Sequence, residues 1–210
     1  MTRVVSYSLW GKNPLYTEGA LRNAEECVFT YPGWECWMYC DDNVPHRVIE
    51  ELSGHSHVTV INIHGVDNRG RFWRFYPCSD CNVELFISRD VDSRLSEKEA
   101  KAVDDWVRSG KLAHSMHDSR FHRSVFMAGM CGFRHEVMPD IVELVVKFAQ
   151  SHKITYHSDQ EFLRDIIFPR VKSSTLFHSA PGLIKRWPGS VQFPESTPVQ
   201  GGFIGAKVKP

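Results

Sequence analysis

Asp90-Val91-Asp92 stands directly after the apolar run Val83-Glu84-Leu85-Phe86-Ile87-Ser88, and no other pattern in the sequence is as well suited to chemistry. Residues i and i+2 leaving a strand point the same way, so two carboxylates with that aim can share one hard divalent cation, Mn²⁺ or Mg²⁺. An ion held there would also meet diphosphate oxygens and neutralise charge on a departing nucleoside diphosphate. The competing reading is plain: such triplets are common on solvated loops, where they bind nothing. Flanking Arg89 and Arg94 favour the chemical reading, because a guanidinium can orient a carboxylate or meet a phosphate.

Other residue groups are less specific. Arg71 and Arg74 lie in the basic aromatic segment Arg71-Phe72-Trp73-Arg74-Phe75-Tyr76 and could reach a diphosphate or a sugar, or simply face solvent. Glycines in Gly129-Met130-Cys131-Gly132 allow close backbone approach to a ligand, and equally a tight turn in the core. Cys78-Ser79-Asp80-Cys81 is a lone C-x-x-C. A structural zinc would need two further ligands, and Cys36 with Cys40 lies inside an apolar strand-like run, so zinc is disfavoured. The six cysteines are read as reduced thiols.

The elements that must position these groups follow from hydrophobic period. Strands are expected over Val4–Leu9, Trp34–Cys40, Val58–Ile63 and Val83–Ser88, with helices over Thr17–Phe29 and Val48–Leu52 between the first three. This βαβαβ opening predicts a mostly parallel sheet with crossover helices, in which ligands sit beyond the carboxyl ends of the strands. Gly65–Gly70 reads as a turn and Arg71–Tyr76 as a helix start. A capping box, Ser96 to Glu99, opens a helix to Ser109, and further helices are expected over Pro139–Gln150 and Asp159–Ile167. The stretch 110–135 shows little periodicity, and loops are expected from Pro169 onward.

Composition narrows the partners. With 210 residues, 25 Lys+Arg against 25 Asp+Glu, and 42% hydrophobic content, the chain suits one domain, 1–210, able to bury a core. Zero formal charge supplies no field to hold a polyanion, which argues against a nucleic-acid partner. No run approaches the ~18 apolar residues of a membrane span, and Met1-Thr2-Arg3 leads into a strand too short and polar for a secretory signal, so a cytoplasmic location is expected. The glycine-rich stretch Gly201–Pro210 leaves open that the chain is one domain of a longer polypeptide.

An ordered set of motifs goes further: Ser6 to Tyr16 (S-Y-S-L-W-G-K-N-P-L-Y), Arg71 to Phe75, Arg89 to Ser96, the A-V-x-x-W helix at Ala102 to Trp106, Ala128 to Gly132, and Asp159 to Leu163. Together they resemble the GT-A glycosyltransferases, and more narrowly the small GT-A domains encoded by large algal, chlorella-type DNA viruses. The resemblance implies an α/β, GT-A (Rossmann-like) single domain with a mixed, mostly parallel sheet flanked by helices. It also implies a metal-dependent transferase that moves a sugar from a UDP-sugar to a glycan or glycoprotein hydroxyl, acting in the host-cell cytoplasm if viral. Carried over by motif, Ser6, Tyr7, Ser8, Leu9 and Trp10 would hold the nucleotide, with the ring of Tyr7 or Trp10 on the base. Asp90, with Val91, would lie at the ribose or donor sugar, and Arg74 at the diphosphate. Asp92 would be the main metal ligand beside Asp90, with His178 completing the site and His157 as alternative. Asp159 would face the acceptor as a general base or sugar-binding group, with Gln160, Gly129 and Met130 beside it; a bare helix N-cap is its competing role.

Two other classes remain in view: an inactive nucleotide-sugar binding module, and a metal-dependent nucleotidyltransferase or phosphohydrolase. The latter usually needs more carboxylates at the metal than Asp90, Asp92 and Asp159 supply. A dehydrogenase is disfavoured, since Trp10-Gly11-Lys12-Asn13 lacks G-x-G-x-x-G.

Overall fold

The computed structural model describes residues 1–65, 69–183, 187 and 189–209; three residues of the Gly65–Gly70 turn, 66–68, lie outside that set. Strand β1 (Thr2–Leu9) is central, and its alternation sends side chains to two faces: Val5, Tyr7 and Leu9 enter one apolar layer and Val4 the other. Helix α1 (Pro14–Thr30) follows, started by Asn13, whose side chain accepts a hydrogen bond from the Leu15 N–H, and by Pro14 in the first turn. Strand β2 (Glu35–Asp41), helix α2 (His46–Ser53) and strand β3 (Val58–Ile63) complete the expected βαβαβ unit, and β1, β2 and β3 pair in parallel. A 3₁₀ segment, Gly70–Ser79, then carries the chain back across the sheet. Strand β4 (Val83–Arg89) therefore pairs, again in parallel, with the other side of β1.

The second half extends the same sheet. After helix α3 (Glu97–Ser109) come β5 (Ala113–His117), β6 (Met130–Arg134), α4 (Ile141–Ser151), α5 (Ser158–Phe162), α6 (Phe168–Val171), β7 (Thr175–Ser179) and β8 (Val191–Gln192). A π-helical turn, Leu163–Ile167, joins α5 to α6. The order across the sheet is β3-β2-β1-β4-β6-β5-β7-β8, with β6 antiparallel to both its neighbours and every other pairing parallel.

Three expectations are corrected here. The aperiodic stretch 110–135 holds β5 and β6. The region after Pro169 holds α6, β7 and β8. The glycine-containing loop at Met130–Gly132 is part of β6, paired with β4. β5, β6 and β7 are largely buried and carry His, Ser or Gly, so they show no apolar alternation, while β8 is a two-residue exposed strand too short to show any.

One face of the sheet is aromatic: Phe72, Phe75, Phe86, Phe126, Phe133 and Phe162 are fully buried there, each contributing roughly 1.5–3 kcal/mol through removal from water. The other face packs α1, α2 and α3 through Leu21, Val48, Val103 and Trp106. An ion pair lies within that second layer. Arg89 and Glu99 meet at 3.0 Å with side chains at most 1% exposed, and the Tyr31 hydroxyl donates to Glu99 at 3.1 Å. All six cysteines are free; Cys81 is exposed and the other five are buried, and burial pushes the Cys40 and Cys78 thiols up to about 12. Cys78 donates to backbone carbonyls of Arg134 and His135.

Candidate active site

Because the chain leaves β1 toward β2 and later returns to its other side as β4, a crevice must open beyond the carboxyl ends of β1 and β4. A cleft of about 380 Å³ lies there. Ser8 and Leu9 end β1 at its floor, Asp90, Val91 and Asp92 leave β4 along one wall, and Arg74 comes in from the 3₁₀ segment. Gly129 and Met130 enter from the start of β6, and Asp159 and Gln160 from α5. Trp10, Tyr16, Arg71, Tyr156 and Lys207 also line it.

Arg74 organises the interior. Its backbone N–H donates to Ser8 Oγ at 2.9 Å, which seats the 3₁₀ segment on β1. Its guanidinium, 8% exposed, donates to Asp90 Oδ1 through Nη1 and to Asp159 Oδ2 through Nη2 at 2.7 Å. One buried cation thus serves two carboxylates. Burial presses Asp90 toward its neutral form, yet Arg74 outweighs burial and holds it below the usual carboxylate range. At Asp159 burial, with the added repulsion of Asp90, prevails over Arg74, and its pKa is raised. Asp159 sits in the first turn of α5 with His157 at the N-cap position, so it is not that helix's N-cap; its Oδ1 accepts only the Gln160 N–H, at 2.8 Å. Gln160 is held by Ser124, whose hydroxyl donates to Oε1.

The acidic triplet is fixed by what lies behind it. Val91 O accepts from Asn23 Nδ2 at 3.2 Å and from Arg94 Nη1 at 3.3 Å, and α1 passes so close that a Cβ on Gly19 would collide with that same carbonyl. Arg89 donates to Gly129 O, Ser93 Oγ and Arg94 O. Arg89 and Arg94 therefore brace the loop from inside and do not line the cleft, so of the two roles expected of them, orienting a carboxylate or meeting a phosphate, the second has no geometric basis. Gly129 is required for space, since a Cβ there would collide with the Asp90 carboxylate.

Placement of the nucleotide residues divides by position along β1, the carboxyl end alone reaching the cleft. Ser8, Leu9 and Trp10 line the cleft; Ser6 and Tyr7 do not. Tyr7 points to the opposite face from Ser6 and Ser8, is fully buried among Val5, Leu9 and Cys36, and cannot stack on a base in the cleft. Trp10 remains for that role: 46% exposed, it meets Trp73 edge-on at 6.5 Å between ring centroids and lies over Gly70.

Neither candidate histidine ligand lines the cleft, although His122 does. His178, in β7, is fully buried, with Nδ1 2.9 Å from His114 Nε2 and Nε2 3.6 Å from Asp105 Oδ2, and it does not line the cleft. His157 is exposed against Tyr156. Among the described residues no group of three or more His, Cys, Asp or Glu side chains is gathered for a metal ion, so neither the zinc reading nor a third histidine ligand has a geometric basis. What the cleft does offer a cation is Asp90, with 43% of its side chain exposed to the cleft, and Asp92 two residues on. That pair of hard oxygen donors fits Mg²⁺ or Mn²⁺ bound jointly with a diphosphate and water, which needs only one or two protein carboxylates. Tyr156 and Lys207 carried no signal in the sequence, and Tyr16 entered only as the end of the Ser6–Tyr16 motif; Lys207 pairs with Asp92 at 2.9 Å, and Arg71 donates to Tyr156 O at 2.7 Å.

No family model and no curated protein sequence matches the chain. Solved structures do. A glycosyltransferase involved in the glycosylation of the major capsid of PBCV-1 superposes with TM-score 0.58 at 12% identity, covering 85% of this chain and 82% of that one. S. aureus TarS 1–349 in complex with UDP gives 0.56 at 10% identity over 86% of this chain and 61% of that structure. A 4-diphosphocytidyl-2C-methyl-D-erythritol synthase from Anaerococcus prevotii gives 0.50 at 8% over 77% and 82%. At these identities the likeness establishes the fold: a GT-A-like α/β domain. No helix among the described residues is long and apolar enough to cross a membrane.

Proposed function

We propose that the protein is a glycosyltransferase that moves a sugar, a hexose or deoxyhexose, from a UDP-sugar to a hydroxyl of a glycan. The observation that carries this reading is the convergence of Asp90, Asp92, Arg74 and Asp159 on one cleft at the carboxyl ends of β1 and β4. The fold likeness to a glycosyltransferase involved in the glycosylation of a viral major capsid supports a viral glycoprotein glycan as acceptor. Free thiols accord with action in the host-cell cytoplasm.

Mechanistically, Trp10 takes the base and the backbone at Ser8 and Leu9 the nucleoside. Asp90 and Asp92 hold the divalent cation, Mn²⁺ or Mg²⁺, which when bound neutralises charge on the leaving diphosphate. Arg74 keeps Asp90 and Asp159 at a fixed separation and spreads one positive charge across both. Asp159 faces the acceptor end of the cleft, where its ionised form can take the proton of an attacking hydroxyl or hold a sugar by hydrogen bonds. Gly129 leaves room for the Asp90 carboxylate at the cleft wall.

A nucleotidyltransferase is the second reading, favoured by the fold likeness to the diphosphocytidyl synthase. The deciding experiment measures UDP release from a panel of UDP-sugars with Mn²⁺, with and without acceptor glycans. Acceptor-stimulated UDP release establishes transfer. Pyrophosphate release from a nucleoside triphosphate, with no UDP-sugar turnover, selects the second reading, and nucleotide binding without either marks an inactive module.

A further inference from the structure

The mouth of the cleft is closed on one side by a strap, Phe203–Lys209, distant from the cleft in sequence. Ile204 is fully buried, and its N–H donates to Asp118 Oδ2 at 2.9 Å. Asp118 is itself 3% exposed and paired with Lys98. Phe203 meets the His122 ring edge-on at 5.4 Å. Gly205, at φ +81°, lies against Met130 so closely that a Cβ would collide with its sulfur. Beyond Lys207, the Val208 N–H donates to Asp92 O at 2.8 Å. The backbone is thus pinned on both sides of Lys207, and the Lys207 ammonium is delivered to Asp92 Oδ2 at 2.9 Å.

The Lys207 end of the pair is open to solvent while Asp92 is 10% exposed, so water screens the attraction from one side only. What matters is the capacity left over. An ammonium has three N–H donors, Asp92 takes one, and 57% of the Lys207 side chain stays exposed beside the cleft. His178, expected to complete the metal site beside Asp92, lies in β7 away from the cleft, and the side chain that meets Asp92 is Lys207. A point charge with free donors beside two carboxylates is suited to phosphate oxygens.

We propose that Lys207 is a diphosphate-binding residue: held on Asp92 by the strap, it donates its remaining N–H groups to the phosphates of the bound nucleoside diphosphate. This rests on the glycosyltransferase reading and adds to it a contact from the far end of the chain.

The test is binding to the full chain in Mn²⁺, by calorimetry for UDP and by saturation-transfer NMR for uridine, in wild type, K207A and K207R. Loss of one charge-assisted contact should weaken UDP binding by about ten- to a hundredfold in K207A, leave uridine unchanged, and be mostly restored in K207R. Melting temperatures should agree within about 2 °C, because the side chain is largely exposed. Unchanged or tighter UDP binding in K207A overturns the proposal, the latter making Lys207 a plug. A parallel loss of uridine also overturns it, making Lys207 a prop for the whole cleft. Wild-type protein that binds no nucleoside diphosphate would instead remove the glycosyltransferase reading itself.

Discussion

At the scale of single residues, Asp90, Asp92 and Asp159 line one cleft but stand in different electrostatic settings, and their substitutions should therefore fail differently. Asp92→Ala removes one of two hard oxygen donors; calorimetry should show UDP binding that Mn²⁺ no longer strengthens. Asp159→Asn keeps a hydrogen-bond acceptor and the shape of the side chain but cannot take a proton. If Asp159 is the base, kcat should fall ~10²–10⁴-fold, beyond what the accompanying loss of the buried Arg74 pair costs in stability. A role in holding sugar would instead raise KM as well. The pKa of Asp159 is raised by burial and by Asp90 against the pull of Arg74. A base must be ionised, so wild-type turnover should decline as pH falls through a midpoint above the ordinary carboxylate range. The pH profile of Asp159→Asn should lack that limb. The acidic triplet was legible from its place directly after an apolar strand and Asp159 through the D-Q-x-F-L motif, since taken alone a solvated loop or a helix N-cap would account for either. Tyr7 was misplaced because a family motif names a segment, while depth along the strand and burial, here among Val5, Leu9 and Cys36, decide which of its side chains can meet the ligand. His178 failed for a related reason: imidazole chemistry is visible in a sequence, but the partner that satisfies it, here His114 across β5 and β7, is not.

Between elements, the cleft depends on close approaches that only glycine permits. Gly19 brings α1 against the Val91 carbonyl and Gly129 brings β6 against Asp90. Gly19→Ala should force α1 from the acidic loop, lowering stability by roughly 1–3 kcal/mol through overpacking and weakening nucleotide binding with it. Gly129→Ala should displace Asp90 from Arg74, so nucleotide affinity should fall more than stability does; denaturant titration beside calorimetry separates the two. The first four strands were readable because they are long and apolar, whereas β5 (A-H-S-M-H) hides as a polar run though all five residues are buried. Its burial comes from α3 and from β6 and β7, which lie outside any local window.

Across the whole molecule, the second half of the sheet holds neutral imidazoles in its interior. Burial lowers the pKa of His114 and His178, and lowers that of His122 from 6.5 to about 4. His122 Nδ1 accepts from the backbone N–H groups of Asp118 and Ser119, which requires the neutral ring. A depressed folded-state pKa means that the unfolded chain binds the proton first. Stability from His122 is therefore complete above about pH 6.5 and is lost as pH falls toward 4. Glu99 and Asp159, both raised, act in the opposite sense, so the contribution is best read as a difference. Urea unfolding of wild type and His122→Asn between pH 7 and pH 4 should converge by on the order of 2 kcal/mol, after allowance for solvent screening.

The sole exposed thiol, Cys81, lies just before β4, whereas the cleft lies past the end of that strand at Asp90. Seven strand residues at ~3.3 Å each separate the two by roughly 23 Å, so reagent attached at one end leaves the other untouched. The other thiols are buried, and Cys40 and Cys78 stay protonated at neutral pH, which makes maleimide chemistry selective. The molecule thus carries its own anchoring point: immobilised through Cys81, every copy would present its cleft away from the support, ready for binding measurements on a uniformly oriented surface.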